Sequence, residues 1–202
     1  MRKLILRIEV SFDQVAAGEN GRPLAALDVA DEGSWDDVFQ TVETVDTMLI
    51  GAVSHREYLD HWQKAATSTT APPSERKFGQ IAQKTQHYVL SRSLKSVDFP
   101  NAQVLPGGVE GIAGLKRQSG RDLLLWGGVT VAAAAIEAGL VDEYHLLTQP
   151  VIAGRGRRLF ADVSGTRRLR HLHTRTLPSG RLYLIALLTM LFKTWRKRTS
   201  SK

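Results

Sequence analysis

The stretch Leu123–Phe160, LLLWGGVTVAAAAIEAGLVDEYHLLTQPVIAGRGRRLF, decides the fold. Leu123 to Trp126 reads as a buried strand and Gly127-Gly128 as a sharp turn. TVAAAAIEAGL (130–140) is a run of strong helix formers with Gly139 near its end. VDEYHLLTQPVI (141–152) reads as a second strand that Pro150 ends or bulges. Two strands joined through a helix of this length make a parallel unit, because parallel neighbours need a long crossover.

Working outward, the same alternation recurs. KLILRIEVSF (3–12) reads as a strand, and DQVAAGENGRP (13–23), with Asn20-Gly21 and Pro23, as a loop. Ser34 is placed to cap a helix over WDDVFQTVETV (35–45), where Trp35, Val38, Phe39, Val42 and Val45 recur at helical spacing. TMLIGA (47–52) follows as a strand. HWQKAATSTTAPPSERK (61–77) has the most loop-like composition in the chain and reads as a long surface loop, with Ser74 capping a helix over ERKFGQIAQK (75–84). HYVLS (87–91) and AQVLPGG (102–108) read as strands, VEGIAGLKRQ (109–118) as a helix, and RLYLIALL (181–188) as a last, antiparallel strand. The expectation is an α/β fold: a three-layer α/β/α sandwich around a mixed, mainly parallel sheet, in one domain over 1–190 followed by a basic tail over 191–202.

Composition narrows the function classes. The 202 residues contain no cysteine, which excludes a thiol nucleophile, disulfides and Cys-based metal sites, and suits a cytoplasmic location. The net charge of +7 is not evenly spread: residues 1–162 hold 17 Lys and Arg against all 20 Asp and Glu, and residues 163–202 hold 10 Lys and Arg with no acid. KTWRKRTSSK (193–202) has the charge to attract nucleic acid or anionic lipid, but without interleaved aromatics it reads as a solvated terminus. The apolar run Leu182–Phe192 is about half the roughly 20 residues of a membrane helix, and MRKLILRIEVSF does not read as a secretory signal.

Candidate chemistry concentrates at strand ends, where open α/β sheets bind ligands. Gly127-Gly128 lacks β-carbons that would hold a diphosphate away, and the N–H groups of Val129, Thr130 and Val131 would be free helix-terminal donors, with the Thr130 hydroxyl beside them. Spacing alone fits a tight strand-to-helix connection equally well. The Gly-x-Gly at 154–156 continues into a non-helical pattern and is not a Rossmann turn; Arg155, Arg157 and Arg158 around it have the charge to hold an anionic substrate or cofactor group, but a solvated loop is the more usual reading. His171 and His173 share one face of a strand but lack a third ligand, so no metal site is indicated.

Four segments in order, VSFDQVAAGENG, LIGAVSHREY, YVLSRSL and the opening stretch, resemble the dihydrofolate-reductase-like superfamily. The closest likeness is to stand-alone relatives of the reductase domain of bifunctional riboflavin-biosynthesis deaminase-reductase proteins. The resemblance spans roughly residues 3 to 188. It implies NADPH as cofactor and hydride transfer to a small heterocyclic or carbonyl substrate, of the 5-amino-6-(5-phosphoribosylamino)uracil reductase type or the dihydrofolate reductase type, in a homodimer. The alternative is a nucleotide-binding or oligomeric scaffold without turnover.

Carried onto this chain, the resemblance implies that Gly127 and Gly128, often joined in the family by a cis peptide, seat the pyrophosphate with Val129, Thr130 and Val131. Gly51, Ala52, Val53 and Ser54 match a second cofactor segment, in which Ala52 replaces an arginine. Ser91, Arg92 and Ser93 match a contact near the adenosine 2′-phosphate. Ala16 and Ala17 match small residues against the nicotinamide, with Asp13 bracing that loop. Trp126 stands where riboflavin-pathway reductases place a glutamate, and fills core. Asp28, Asp31 and Asp36 lie near the substrate loop, but the sequence names no catalytic acid.

Overall fold

The structure, a computed structural model, describes residues 1–23 and 32–189. Its centre is the strand β1 (Leu4–Ser11), whose alternating side chains face two different helix layers. The eight-stranded sheet has the order β5 (Ala102–Leu105), β4 (Gln86–Leu90), β3 (Val45–Gly51), β6 (Asp122–Trp126), β1, β7 (Glu143–Gln149), β10 (Leu182–Leu188), β9 (Leu169–Thr176). The run from β5 to β7 is parallel throughout, and β10 is antiparallel to both of its neighbours. A separate two-stranded ribbon pairs β2 (Val15–Ala17) with β8 (Arg157–Arg158).

Helices α1 (Trp35–Glu43), α2 (His55–Thr67) and α3 (Pro73–Lys84) cover one face. There Val38, Val42, Phe78 and Ala82 pack on Ile5, Met48 and Leu124, and Leu59 packs on Ile50 and Val89. Helices α4 (Val109–Arg117) and α5 (Val129–Glu137) cover the other, burying Ile112, Leu115, Ala132, Ala135 and Ile136 against Leu4, Leu6, Leu123 and Leu125. This is the expected three-layer sandwich. Adjacent parallel strands in register place every carboxyl end from β5 to β7 along a single edge.

The residues 61–77 depart from expectation. His61 to Thr67 complete α2, because Leu59, Trp62, Ala65 and Ala66 form an apolar stripe against α3 and the sheet; only Ser68 to Pro72 connect the two helices. Polar composition suggested a loop, and packing of that stripe overrides it. Ser74 is not a cap either: α3 starts at Pro73, whose missing N–H costs nothing in a first turn, and Ser74 is buried inside that turn. Ser34 stands at the N-cap position of α1, but its hydroxyl makes no capping bond.

Candidate functional site

The sheet order brings four of the singled-out segments to one edge. β4, β3, β6 and β1 are successive neighbours, so Ser91-Arg92-Ser93, Gly51 to Ser54, Gly127 to Val131 and the loop after Ser11 leave the sheet side by side. Neighbouring strands lie about 4.8 Å apart, so the Ser91 end is roughly 10 Å from the Gly127 end. The segments therefore line a trough rather than a point.

Gly51 and Gly128 meet in its middle. A β-carbon on Gly128 would stand 3.5 Å from the Gly51 nitrogen, and one on Gly51 would stand 3.2 Å from Cγ2 of Val131. Gly127 faces open space, with nothing within 4 Å of the place its β-carbon would take. Both glycines of the pair have positive φ, +71° and +82°, which only glycine adopts at low cost. The peptide between them is trans, as are all described peptides, so the cis bond implied by the family resemblance is not present. The first intrahelical bond of α5 runs from the Ala132 N–H to the Gly128 carbonyl at 2.9 Å. The N–H groups of Val129, Thr130 and Val131 precede it and fall in the turn without intrahelical acceptors. The open space at Gly127, beside these donors, fits a diphosphate.

The neighbouring segments contribute less charge than shape. Ala52 has no donor side chain; Val53 is exposed, and the Ser54 hydroxyl does not cap α2. Ser91 uses its hydroxyl to accept the N–H groups of Ser93 and Leu94 at 3.2 and 3.0 Å, fixing the turn after β4. Arg92 is exposed beside Gly108, where a β-carbon would lie 3.9 Å from its Cγ.

Ala16 and Ala17 are buried in β2. Asp13 braces their loop: it accepts the Ser11 hydroxyl at 2.7 Å and the N–H groups of Ala153 and Gly154 at 2.9 and 3.0 Å. Those donors, the Ser11 hydroxyl foremost, lower its pKa to about 2, so it holds its brace as an anion.

The arginines of GRGRR are exposed, as its composition suggested, but the segment ends in a strand rather than a loop. Arg157 and Arg158 form β8 against β2, and Leu159 is fully buried. Arg158 donates to the Asp13 carbonyl and lies 3.4 Å from its carboxylate. Arg157 donates from Nε to the Glu19 carbonyl at 3.1 Å and from Nη1 to the Thr130 hydroxyl at 2.9 Å. Gly156 permits the pairing: its φ is +131°, and a β-carbon there would stand 2.4 Å from the Ala17 carbonyl oxygen.

A second cluster went unread in the sequence. On the α1 face of β1, Ile5, Arg7, Glu9 and Ser11 alternate with the core residues Leu6, Ile8 and Val10. Arg7 is 7% exposed, its Nη1 is buried without a hydrogen-bond partner, and its guanidinium lies 5.7 and 5.2 Å from the rings of Trp126 and Tyr183. Burial pushes its pKa down. Glu9 accepts from Gln149 Nε2 at 3.1 Å and lies 3.6 Å from Nη1 of the buried Arg181. Below them His145 joins the Tyr183 hydroxyl at 2.6 Å to Glu143 at 2.8 Å. The signal was present: two charges at spacing two inside the apolar run LILRIEVS.

Other candidates separate from this edge. Asp36 is exposed in the first turn of α1, while Asp37 pairs with Arg175. Asp28 and Asp31, like the tail 191–202, lie outside the described residues. His171 is bonded to the Thr174 hydroxyl at 2.7 Å on the exposed strand β9. Among the described residues no group of three or more His, Asp or Glu converges as metal ligands, and no helix is long and apolar enough to cross a membrane. Trp126 is partly buried and packs 4.9 Å from Phe78.

Comparison with known proteins agrees with this architecture. The profile of the RibD C-terminal domain matches residues 2–183. The uncharacterized protein YyaP of Bacillus subtilis (strain 168) is 30% identical over 184 residues, covering 91% of this chain and 94% of that protein. Among solved structures, a putative riboflavin biosynthesis protein from Shewanella superposes with a TM-score of 0.69 at 18% identity, covering 94% of this chain and 100% of the other. The deaminase/reductase of Thermotoga maritima superposes at 0.63 with 14% identity over 93% of this chain, which spans 57% of that longer protein.

Proposed function

The chain belongs to the RibD C-terminal domain family, and from that premise we propose that it is a pyridine-nucleotide-dependent reductase of a small heterocyclic or carbonyl substrate, with NADPH as the hydride donor. The observation that carries this reading is the Gly51–Gly128 apposition at the start of α5. It leaves Gly127 facing open space beside the helix-terminal N–H groups, between a braced loop on one side and Arg92 on the other. When bound, the cofactor supplies a hydride to an electrophilic carbon of the substrate.

The chain's residues supply position. Val129, Thr130 and Val131 donate N–H groups to the diphosphate. Ser91 shapes the turn that presents Arg92 to the adenosine 2′-phosphate, where a guanidinium forms strong charge-assisted bonds. Asp13 fixes the Ala16–Ala17 segment against which the nicotinamide lies. On the α1 face, Arg7 offers a buried donor and Glu9 a carboxylate two residues along the same strand. Such a pair suits a planar substrate carrying both C=O and N–H groups. A homodimer belongs to the same proposal; β9, exposed and bearing Leu169 and Leu172, is one of the two edge strands of the sheet among the described residues.

Titration with NADPH and NADH, followed by a panel of pterin, pyrimidine and carbonyl substrates, tests this reading. Saturable cofactor binding and oxidation of NADPH by at least one panel member are expected. Failure of both cofactors to bind would refute it. Ala52 motivates the second reading, a nucleotide-binding scaffold: binding without turnover across the panel would favour that.

A further inference from the structure

Resting on the pyridine-nucleotide reading, we propose that Arg157 is the cation of the diphosphate seat, taking over the charge that Ala52 does not provide. Its Nη1 stands 2.9 Å from Oγ1 of Thr130, the second residue of α5, among the donors that line the seat. That position, exposed to solvent, sets two positive groups side by side. The first turn of a helix carries partial positive charge, and a guanidinium there adds to it. Two other arginines near the seat are paired, Arg158 with Asp13 and Arg22 with Glu57, while Arg92 and Arg155 are exposed and make no bond to Thr130. Among the described residues Arg157 has no carboxylate within ion-pair distance, and its acceptors are a neutral hydroxyl and a carbonyl. An anion at the start of α5 would satisfy the helix terminus and the guanidinium together.

The backbone keeps Arg157 there. β8 pairs with β2, and Gly156 fits against the Ala17 carbonyl where any side chain would collide. The Nε bond to the Glu19 carbonyl holds the guanidinium over the turn Gly18 to Arg22, and Arg22 ties that turn to the first turn of α2 through Glu57. The turn is thus tied to α5 through Arg157 and to α2 through Glu57. Binding of a dinucleotide exchanges the Thr130 hydroxyl for a diphosphate oxygen on Nη1, and no covalent bond changes.

Dissociation constants for NADPH and NADH, measured by fluorescence titration over a range of ionic strength, test the assignment in the wild type, Arg157→Gln, Arg157→Lys and Arg155→Gln. Arg157→Gln should weaken both cofactors by the same factor, about tenfold, because both carry the diphosphate, and should flatten the dependence on salt. Arg157→Lys should stay within a few fold of the wild type, and Arg155→Gln, an exposed neighbour that points no donor at Thr130, should match it. Unchanged affinity in Arg157→Gln, a loss confined to NADPH, or a lysine variant as weak as the glutamine one would overturn the assignment while leaving the reductase reading intact. Absence of saturable binding in the wild type would overturn both.

Discussion

His87 predicts a loss of stability in mild acid that one substitution should abolish. The side chain is 0% exposed at the start of β4, against a cavity of about 280 Å³ lined also by Tyr58, Trp62, Phe99 and Asn101. Its Nδ1 lies 2.8 Å from the Thr85 carbonyl, and its Nε2 is buried without a partner, so a charged imidazolium would have one nitrogen unsolvated. Burial lowers its pKa to about 4, against the Thr85 carbonyl, which acts in the opposite sense. The unfolded chain takes up this proton near pH 6.5 and the folded chain does not until about pH 4. Stability is therefore fully present above pH 6.5 and falls through that window. From the two pKa values, the loss amounts to about 1 kcal/mol at pH 6, about 2 at pH 5 and about 3 at pH 4. Urea unfolding of the wild type and His87→Gln, followed by tryptophan fluorescence, reads it. The glutamine variant carries a constant offset, so the difference between the two curves should change by about 3 kcal/mol from pH 7.5 to pH 4. Parallel curves across that range would show that the buried imidazole titrates normally in the folded chain and would refute the burial argument.

Three further outcomes follow from the site. Gly156→Ala places a methyl 2.4 Å from the Ala17 carbonyl at a φ of +131°, and is expected to cost about 2–4 kcal/mol by urea unfolding or to detach β8 from β2. Gly127→Val puts a side chain into the open space beside the α5 donors and should lower affinity for both cofactors at least about tenfold by fluorescence titration; unaltered binding would place the diphosphate elsewhere. Arg92→Gln should narrow the preference for NADPH over NADH several-fold without weakening NADH, since only the 2′-phosphate loses a partner; an equal loss for both would assign Arg92 to another group.

Legibility in the sequence followed the range of the interactions involved. β6, Gly127-Gly128 and α5 were readable because a strand period, two glycines and a run of helix formers are local properties of adjacent residues. α2 was misread at its second half because Lys64 to Thr67 look loop-like alone. What makes them helical is the seating of Trp62, Ala65 and Ala66 against residues more than ten positions away. In GRGRR the exposure of the arginines was legible but the strand was not, for the same reason: the pairing of Arg157 and Arg158 with Val15 to Ala17 joins segments about 140 positions apart.

Alone, the sequence determined the element types, the parallel architecture and the glycine-lined turn, since backbone preference and side-chain periodicity act over a few residues. Tertiary structure decided which of those turns share an edge, that Gly51 meets Gly128, that Nη1 of Arg7 is buried without a hydrogen-bond partner, and that Arg157 reaches Thr130. Those contacts depend on strand order and register, and these are set by the summed burial of the whole sheet rather than by any residue's neighbours in the chain.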